Sequence, residues 1–219
     1  MIEIPESNTL ANQMNETIKG KKVVSVIANN HPHKFAFLHE DGKEYNDFLK
    51  GKLVGETITY GGQIKTSMIS ESTSQEKNRG DDEETEVIMV LSEDINVRYI
   101  GSGEEIPEKH QLLIKFEDFS AFVVSARMYA QIHVSLAKDY KNEYFDAAKE
   151  KPSPLSDDFD MNYFEKLLSE VRPTSSVKAF LATKQRIPGL GNGTLQDILF
   201  NAKINPRAKI KKLSEKNRA

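Results

Sequence analysis

Between Lys22 and about Val134 the chain repeats a two-residue alternation of apolar and polar side chains, a period that suits a pleated strand and not a helix. Val23–Ile27, Lys34–Leu38, Glu56–Tyr60, Gln63–Ile69, Val87–Leu91, Val97–Ile100, Gln111–Phe116 and Ala121–Val124 each read as a short strand. Gly61-Gly62 and Glu117-Asp118 fall between successive runs and mark hairpin turns. Seven or eight short strands with turns between them predict an antiparallel β-sandwich. Residues 71 to 86, almost wholly polar and rich in acids, read as an insertion between strands that hangs away from any anionic partner.

The flanks are helical. Pro5 suits the first turn of a helix and Glu6 suits its dipole, and Leu10, Ala11, Met14 and Ile18 then share one face until Gly20. At the other end, Pro152 and Pro154 stop helix and strand alike, so residues 149–155 read as a linker. Phe159, Tyr163, Phe164, Leu167 and Leu168 then form a helical face. The expected class is α+β: an N-terminal helix and antiparallel β-sandwich over 1–148, the linker, and an all-α domain over 156–219.

Within that last domain, Lys184 to Phe200 reads as a glycine turn opening a helix. Leu195, Ile198, Leu199 and Ala202 follow the helical period, and Asn192 supplies an N-cap oxygen just before them. Gly189, Gly191 and Gly193 leave backbone N–H groups uncovered, and with the positive end of the helix dipole these could hold one phosphate group. The bland alternative is an ordinary helix start or an Asn-Gly hairpin turn.

Charge distribution favours the phosphate. The net charge of −3 taken whole argues against nucleic acid, but residues 175–219 carry ten Lys or Arg against Asp197 and Glu215, a net +8. That leaves 20 of the 30 basic and 31 of the 33 acidic side chains, a net −11, in residues 1–174. A basic module on an acidic one suits a phosphate-binding surface, although the last dozen residues alone hold much of the charge and would also suit a solvated tail. With no cysteine there are no disulfides and no thiolate metal ligands, and the five histidines show no metal-helix spacing. No apolar run approaches a membrane span or a signal-peptide core, so a soluble, cytoplasmic protein is expected. No nucleotide loop, hydrolase elbow or zinc-protease motif is present.

Lys178-Ala179-Phe180-Leu181 one helix before the glycine turn, and Ile204-Asn205-Pro206 after it, complete a pattern of about forty residues. It resembles the helix-two-turns-helix motif of the formamidopyrimidine-DNA glycosylase and endonuclease VIII family of base-excision repair. A small-subunit ribosomal protein shares that motif, so the motif implies nucleic-acid phosphate binding before it implies repair. The resemblance implies that Lys178 and Asn192 hold DNA phosphates. It extends to the start of the chain, where family members begin Met-Pro-Glu-Leu-Pro-Glu. There the exposed proline amine attacks the sugar carbon of a damaged nucleotide and the adjacent glutamate moves the proton. An α-amine, with a pKa of about 8, suits that task better than a lysine.

Glu3 matches the family glutamate, but Ile2 stands at the nucleophile position. A bulky second residue disfavours removal of the initiator methionine, so the Met1 amine becomes the candidate nucleophile, about 3.8 Å along the chain from the family's amine. Gln63 takes the place of a hairpin lysine that contacts the lesion phosphate, and Lys65 lies two residues on, on the same strand face. Arg127 and Tyr129, in Ser125-Ala126-Arg127-Met128-Tyr129, occupy the places of the arginine and aromatic that fill the duplex when a base is flipped out. The resemblance runs from Met1 to about Leu213 and implies a zinc finger beyond, which a sequence without cysteine does not carry. The expected protein is a monomer, without cofactor or metal, that binds damaged double-stranded DNA as a glycosylase and AP lyase. Its alternatives are a catalytically silent binder of damaged DNA, favoured by the replaced proline and hairpin lysine, and a module for structured RNA.

Overall fold

The computed structural model describes residues 2–70 and 85–214; Met1 and nearly all of the acidic stretch at 71–86 lie outside them. Two compact units divide the chain, Met1–Thr59 with Gln63–Lys141, and Tyr60–Gly62 with Asn142–Ala219.

The first unit opens with α1 (Ile4–Thr17), started by a capping box. The Glu6 carboxylate accepts the Glu3 N–H at 3.0 Å, and the Glu3 carboxylate answers the Glu6 N–H. Ile4, Ser7, Ala11 and Met14 form its buried face, which matches the expected one at Ala11 and Met14, while Leu10 is only half-buried. Asn15 fixes the helix to the sheet, its carboxamide exchanging two 2.8 Å hydrogen bonds with the backbone of Thr57.

Among the described residues the strands that follow are β1 (Val23–Ala28), β2 (Ala36–Leu38), β3 (Leu53–Tyr60), β4 (Gln63–Ile69), β5 (Val87–Ile100), β6 (Leu112–Phe116) and β7 (Ala121–Leu136). They hydrogen-bond in the order β1-β6-β7-β5-β4-β3, with β2 parallel beside the C-terminal half of β7. The strands at the two ends of that order meet again through an antiparallel bridge between Lys22 and Leu53, so the sheet curls around one core. Leu91, Phe122, Val124, Ile132 and Val134 from the long strands β5 and β7, with Leu112 from β6, fill that core. A smaller cluster of Ile100, Leu113, Ala121 and Val123 lies apart from it, packed by Ile106. Burial in both clusters explains why Ala121–Val124 is apolar at every position.

Two of the expected strands, Val87–Leu91 and Val97–Ile100, are one. Ser92 to Asn96 break the apolar pattern, but the ladder to β7 carries on across them. Ala121–Val124 is likewise only the first quarter of β7. The short α2 (Tyr45–Leu49) has no signal in the sequence reading. Its Tyr45 is buried, accepting the His39 N–H at 2.9 Å and donating to the Ile132 carbonyl at 2.5 Å, and burial pushes its phenol far above the ordinary range.

Beside Tyr45's partners, the His39 and His133 rings stack with centroids 4.2 Å apart, and Tyr140 meets His133 edge-on at 4.7 Å. Burial first, and the neighbouring His39 second, push His133 down to about 4. The unfolded chain, with an ordinary histidine near 6.5, therefore binds a proton that the folded chain refuses. Stability should be full above pH 6.5 and fall as the pH drops from 6.5 to about 4. Urea melts at pH 7 and pH 5 check this, because His133→Gln should shrink the difference between them.

The second unit holds α3 (Glu143–Lys149), α4 (Met161–Ser169), α5 (Val177–Ala182) and α6 (Asn192–Asn201), which bury Phe145, Leu167, Val177, Phe180, Leu181, Leu195 and Leu199. Side-chain oxygens of Asn142, Asp160 and Ser176 cap the first three helices. Phe164 meets Phe180 edge-on at 5.6 Å. No described helix is long and apolar enough to cross a membrane.

Candidate nucleic-acid interface

In the first unit the site grows from an irregularity in the β5–β7 ladder. Glu93 pairs with Ala130 and Ile95 with Ala126, so a single residue, Asp94, opposes three: Arg127, Met128 and Tyr129. A strand that must fit three residues against one ejects them from the ladder. Arg127 is exposed, as are Met128 and Tyr129 at 55% and 47%. Glu93 takes up the distortion with a φ of +70°. Gln111, buried below the bulge, braces its start: the Ala126 N–H donates to Oε1 at 2.6 Å, and Nε2 donates to the His31 carbonyl at 2.7 Å.

The same irregularity holds the start of the chain. The Ile2 N–H donates to the Glu93 carbonyl at 3.0 Å, and the Ile2 side chain, 5% exposed, belongs to the core. A groove of about 420 Å³ runs between α1 and the bulge, lined by Ile2, Pro5, Glu6, Asp94, Asn96 and Arg127. The structure thus brings the segment around Glu3 and the Arg127 bulge to one groove. Met1 lies outside the described residues. Sequence reading gave Glu6 a helix-start role alone; that its side chain also faces the groove depends on the β5 strand folding back beside it.

Gln63 and Lys65 are placed differently. Gln63 is 5% exposed, and its Oε1 accepts the Tyr140 hydroxyl at 2.7 Å. The Lys65 ammonium lies 3.0 Å from Glu86 Oε2 in a mostly buried ion pair, and Glu86 Oε1 accepts the Ser67 hydroxyl at 2.6 Å.

In the second unit, the glycine turn is built around Arg186. Its guanidinium donates to the carbonyls of Ala179, Phe180 and Thr183 at 3.1–3.3 Å, closing the C-terminal end of α5, and lies over the Phe180 ring. Lys184, Gln185 and Gly189 follow with φ values of +61°, +49° and +82°. The Lys151 ammonium donates to the Gln185 carbonyl, bracing this part of the turn. Gly191 then caps α6, its carbonyl accepting the Leu195 N–H at 3.0 Å. This corrects the expected cap: Asn192 is the first helical residue, because the first helical hydrogen bond starts one residue earlier than the apolar period suggests. The Asn192 side chain is exposed at the helix N-terminus and is not spent on capping.

Lys178 is exposed on α5, while its backbone N–H donates to the Pro206 carbonyl at 3.1 Å. Together with the Ser176–Lys209 bridge, this laces the segment after Asn205 across the start of α5. Lys178 borders a groove of about 520 Å³ with Gln196, Asp197, Phe200, Ile204 and Pro206. The expected apolar face of α6 is half met: Leu195 and Leu199 are buried and Ile198 is exposed.

No family model matches the chain. A formamidopyrimidine-DNA glycosylase from Wolbachia pipientis subsp. Culex pipiens is 24% identical over 206 residues, covering 94% of this chain and 68% of that protein. One from Lactococcus lactis subsp. lactis is 27% identical over 217 residues, covering 98% and 72%. Among solved structures, Lactococcus lactis Fpg (MutM) in complex with a FAPY-dG containing DNA superposes with a TM-score of 0.73 at 20% identity, over 99% of this chain and 74% of that one. Over nearly its whole length the protein is similar in sequence to proteins named formamidopyrimidine-DNA glycosylase, and it shares their fold.

Proposed function

We propose that the protein is a DNA-repair protein of the base-excision type that binds duplex DNA at a damaged nucleotide and flips that nucleotide out. The observation that carries this reading is the three-residue bulge Arg127–Tyr129, held open against Asp94 beside the groove that the start of α1 lines. A guanidinium and an aromatic ring projecting from a braced strand can fill a duplex where a base has left, replacing lost stacking and bonding the orphaned partner. The glycine turn, with Lys178 on the preceding helix and Asn192 at an exposed helix N-terminus, would hold backbone phosphates and set the register. The relatives' shared name, formamidopyrimidine-DNA glycosylase, points to the same chemistry.

A catalytically silent binder is the second reading, and particular observations favour it. The nitrogen of Ile2, which aligns with the family's attacking amine, already donates to Glu93, and its side chain is anchored in the core. The hairpin position that carries a lysine in the family carries a buried Gln63 here, and the nearby Lys65 is paired with Glu86.

Borohydride trapping separates the two. The protein is mixed with duplex DNA containing one abasic site, and any imine between a protein amine and the sugar aldehyde is reduced to a stable adduct. An adduct mapped to Met1, lost in Glu3→Gln, is expected of an active lyase. Selective binding of the abasic duplex with neither adduct nor strand cleavage establishes the silent binder, and failure to prefer the abasic duplex overturns both.

A further inference from the structure

Resting on that reading, we infer that the loop His31–Phe35 is a second DNA-contacting element, in which Phe35 and Tyr129 together stack a nucleobase next to the flipped one and Lys34 meets the adjoining phosphate. The loop clasps the bulge at both ends. The His31 carbonyl is tied through Gln111 to Ala126, just before Arg127, and the Phe35 carbonyl accepts the N–H of Ala130, just after Tyr129, at 2.9 Å. Between those ties the Phe35 and Tyr129 rings lie 4.9 Å apart and tilted by 45°, and Tyr129 remains 47% exposed. His33 approaches the Phe35 ring edge-on at 6.2 Å, and the Lys34 ammonium sits 5.2 Å from its centroid.

An aromatic pair bordered by a cation has the composition of a platform for single nucleobases, because every base has a π-face and every base carries a phosphate. A purely structural Phe35 would need neither the exposed Lys34 nor an exposed partner ring. The nearby acids, Glu93 and Asp94, lie on β5 on the other side of the bulge, facing Ala130 and Arg127–Tyr129 in the ladder. His31, His33 and Lys34 place the basic groups of this loop on the side of β7 away from them. The ligand class is one unstacked base with its phosphate, without a preference for base identity.

The test measures affinity for a duplex containing a tetrahydrofuran abasic-site analogue, and for the intact duplex, across a range of salt. Phe35→Leu should weaken binding to the lesion duplex roughly tenfold, with Phe35→Tyr restoring it, as expected for loss of one stacked base. Lys34→Gln should flatten the slope of log affinity against log salt by about 0.9, the signature of one lost phosphate contact. Arg127→Ala tests the underlying reading separately. If Arg127→Ala weakens lesion binding while either loop substitution behaves like the wild type, the loop proposal is wrong and the damaged-DNA reading stands. If the wild-type protein does not prefer the lesion duplex, both fall together. Should Phe35→Leu fail to fold, Lys34→Gln, at an exposed position outside the bulge, decides the matter: a salt slope unchanged from the wild type overturns the loop proposal.

Discussion

Gly61→Ala should be among the most damaging single substitutions in the helical unit. Gly61 forms the tip of the β3–β4 turn with a φ of +60°. A Cβ there would lie 2.7 Å from the Tyr144 hydroxyl, 2.9 Å from the Gly189 nitrogen and 2.9 Å from the Pro188 carbonyl carbon. Two of those three atoms are backbone of the glycine turn and cannot swing away, so either the turn shifts or the hairpin tip does. The left-handed conformation adds about 1–2 kcal/mol for any L side chain, and forced overpacking adds typically 1–3 kcal/mol. The expected loss is about 2–5 kcal/mol, read by denaturant melting, together with weaker DNA binding through the displaced Pro188–Gly189 turn. Gly20→Ala is the matched control: its φ is +83°, but a Cβ would meet nothing within 4 Å. It should lose only the conformational part. Equal losses for the two variants would show that the packing of Gly61 on the turn is immaterial.

Replacing both Lys178 and Asn192 with alanine should lower duplex affinity roughly a hundredfold, since a hydrogen bond to a charged group contributes about 1.5–3 kcal/mol. The two single variants should differ in kind. Lys178 carries a charge, so its loss should flatten the slope of log affinity against log salt by about 0.9. Asn192 carries none, and its loss should lower affinity with the slope unchanged. Neither change should depend on the lesion, because phosphate contacts position the protein without reading bases. Unaltered affinity in both single variants would falsify a phosphate-holding role for this turn. The correction at the start of α6 sharpens the expectation: with Gly191 as the cap, the Asn192 carboxamide has no helix to start and is exposed for a ligand.

How far the sequence carried these conclusions varies from residue to residue. β1, β4 and β6 lie within a residue of where they are expected, but only β4 alternates, with Ile64, Thr66 and Met68 buried; β6 is covered on both faces, Leu113 lying in the smaller cluster. Alternation alone splits β5 at Ser92–Asn96 and ends β7 before Arg127–Tyr129, because the ladder bends there around a bulge and the apolar pattern has no reason to continue. Short α2 leaves no period in the sequence because five residues hold too few apolar positions; its place is set by Tyr45 bridging His39 and Ile132. Arg186 read as one more basic residue of the phosphate-binding module, whereas its guanidinium is occupied with α5 carbonyls. Only folding brings those acceptors to it.

The sequence by itself determined the α+β class, the helical flanks and the glycine turn, because hydrophobic period, proline and glycine act on the backbone within a few residues of themselves. It also pointed to Glu3, Arg127, Lys178 and Asn192 through resemblance to a family. Only the tertiary structure decided which polar side chains are left for a ligand. Gln63 stands at the place of a family contact and Lys65 two residues on, yet one is buried on Tyr140 and the other is held by Glu86 from across the ladder. Phe35 carries no signal in the sequence, yet it lies against Tyr129. Burial and pairing depend on partners tens of residues away, and their positions are settled only when the sheet curls around its core.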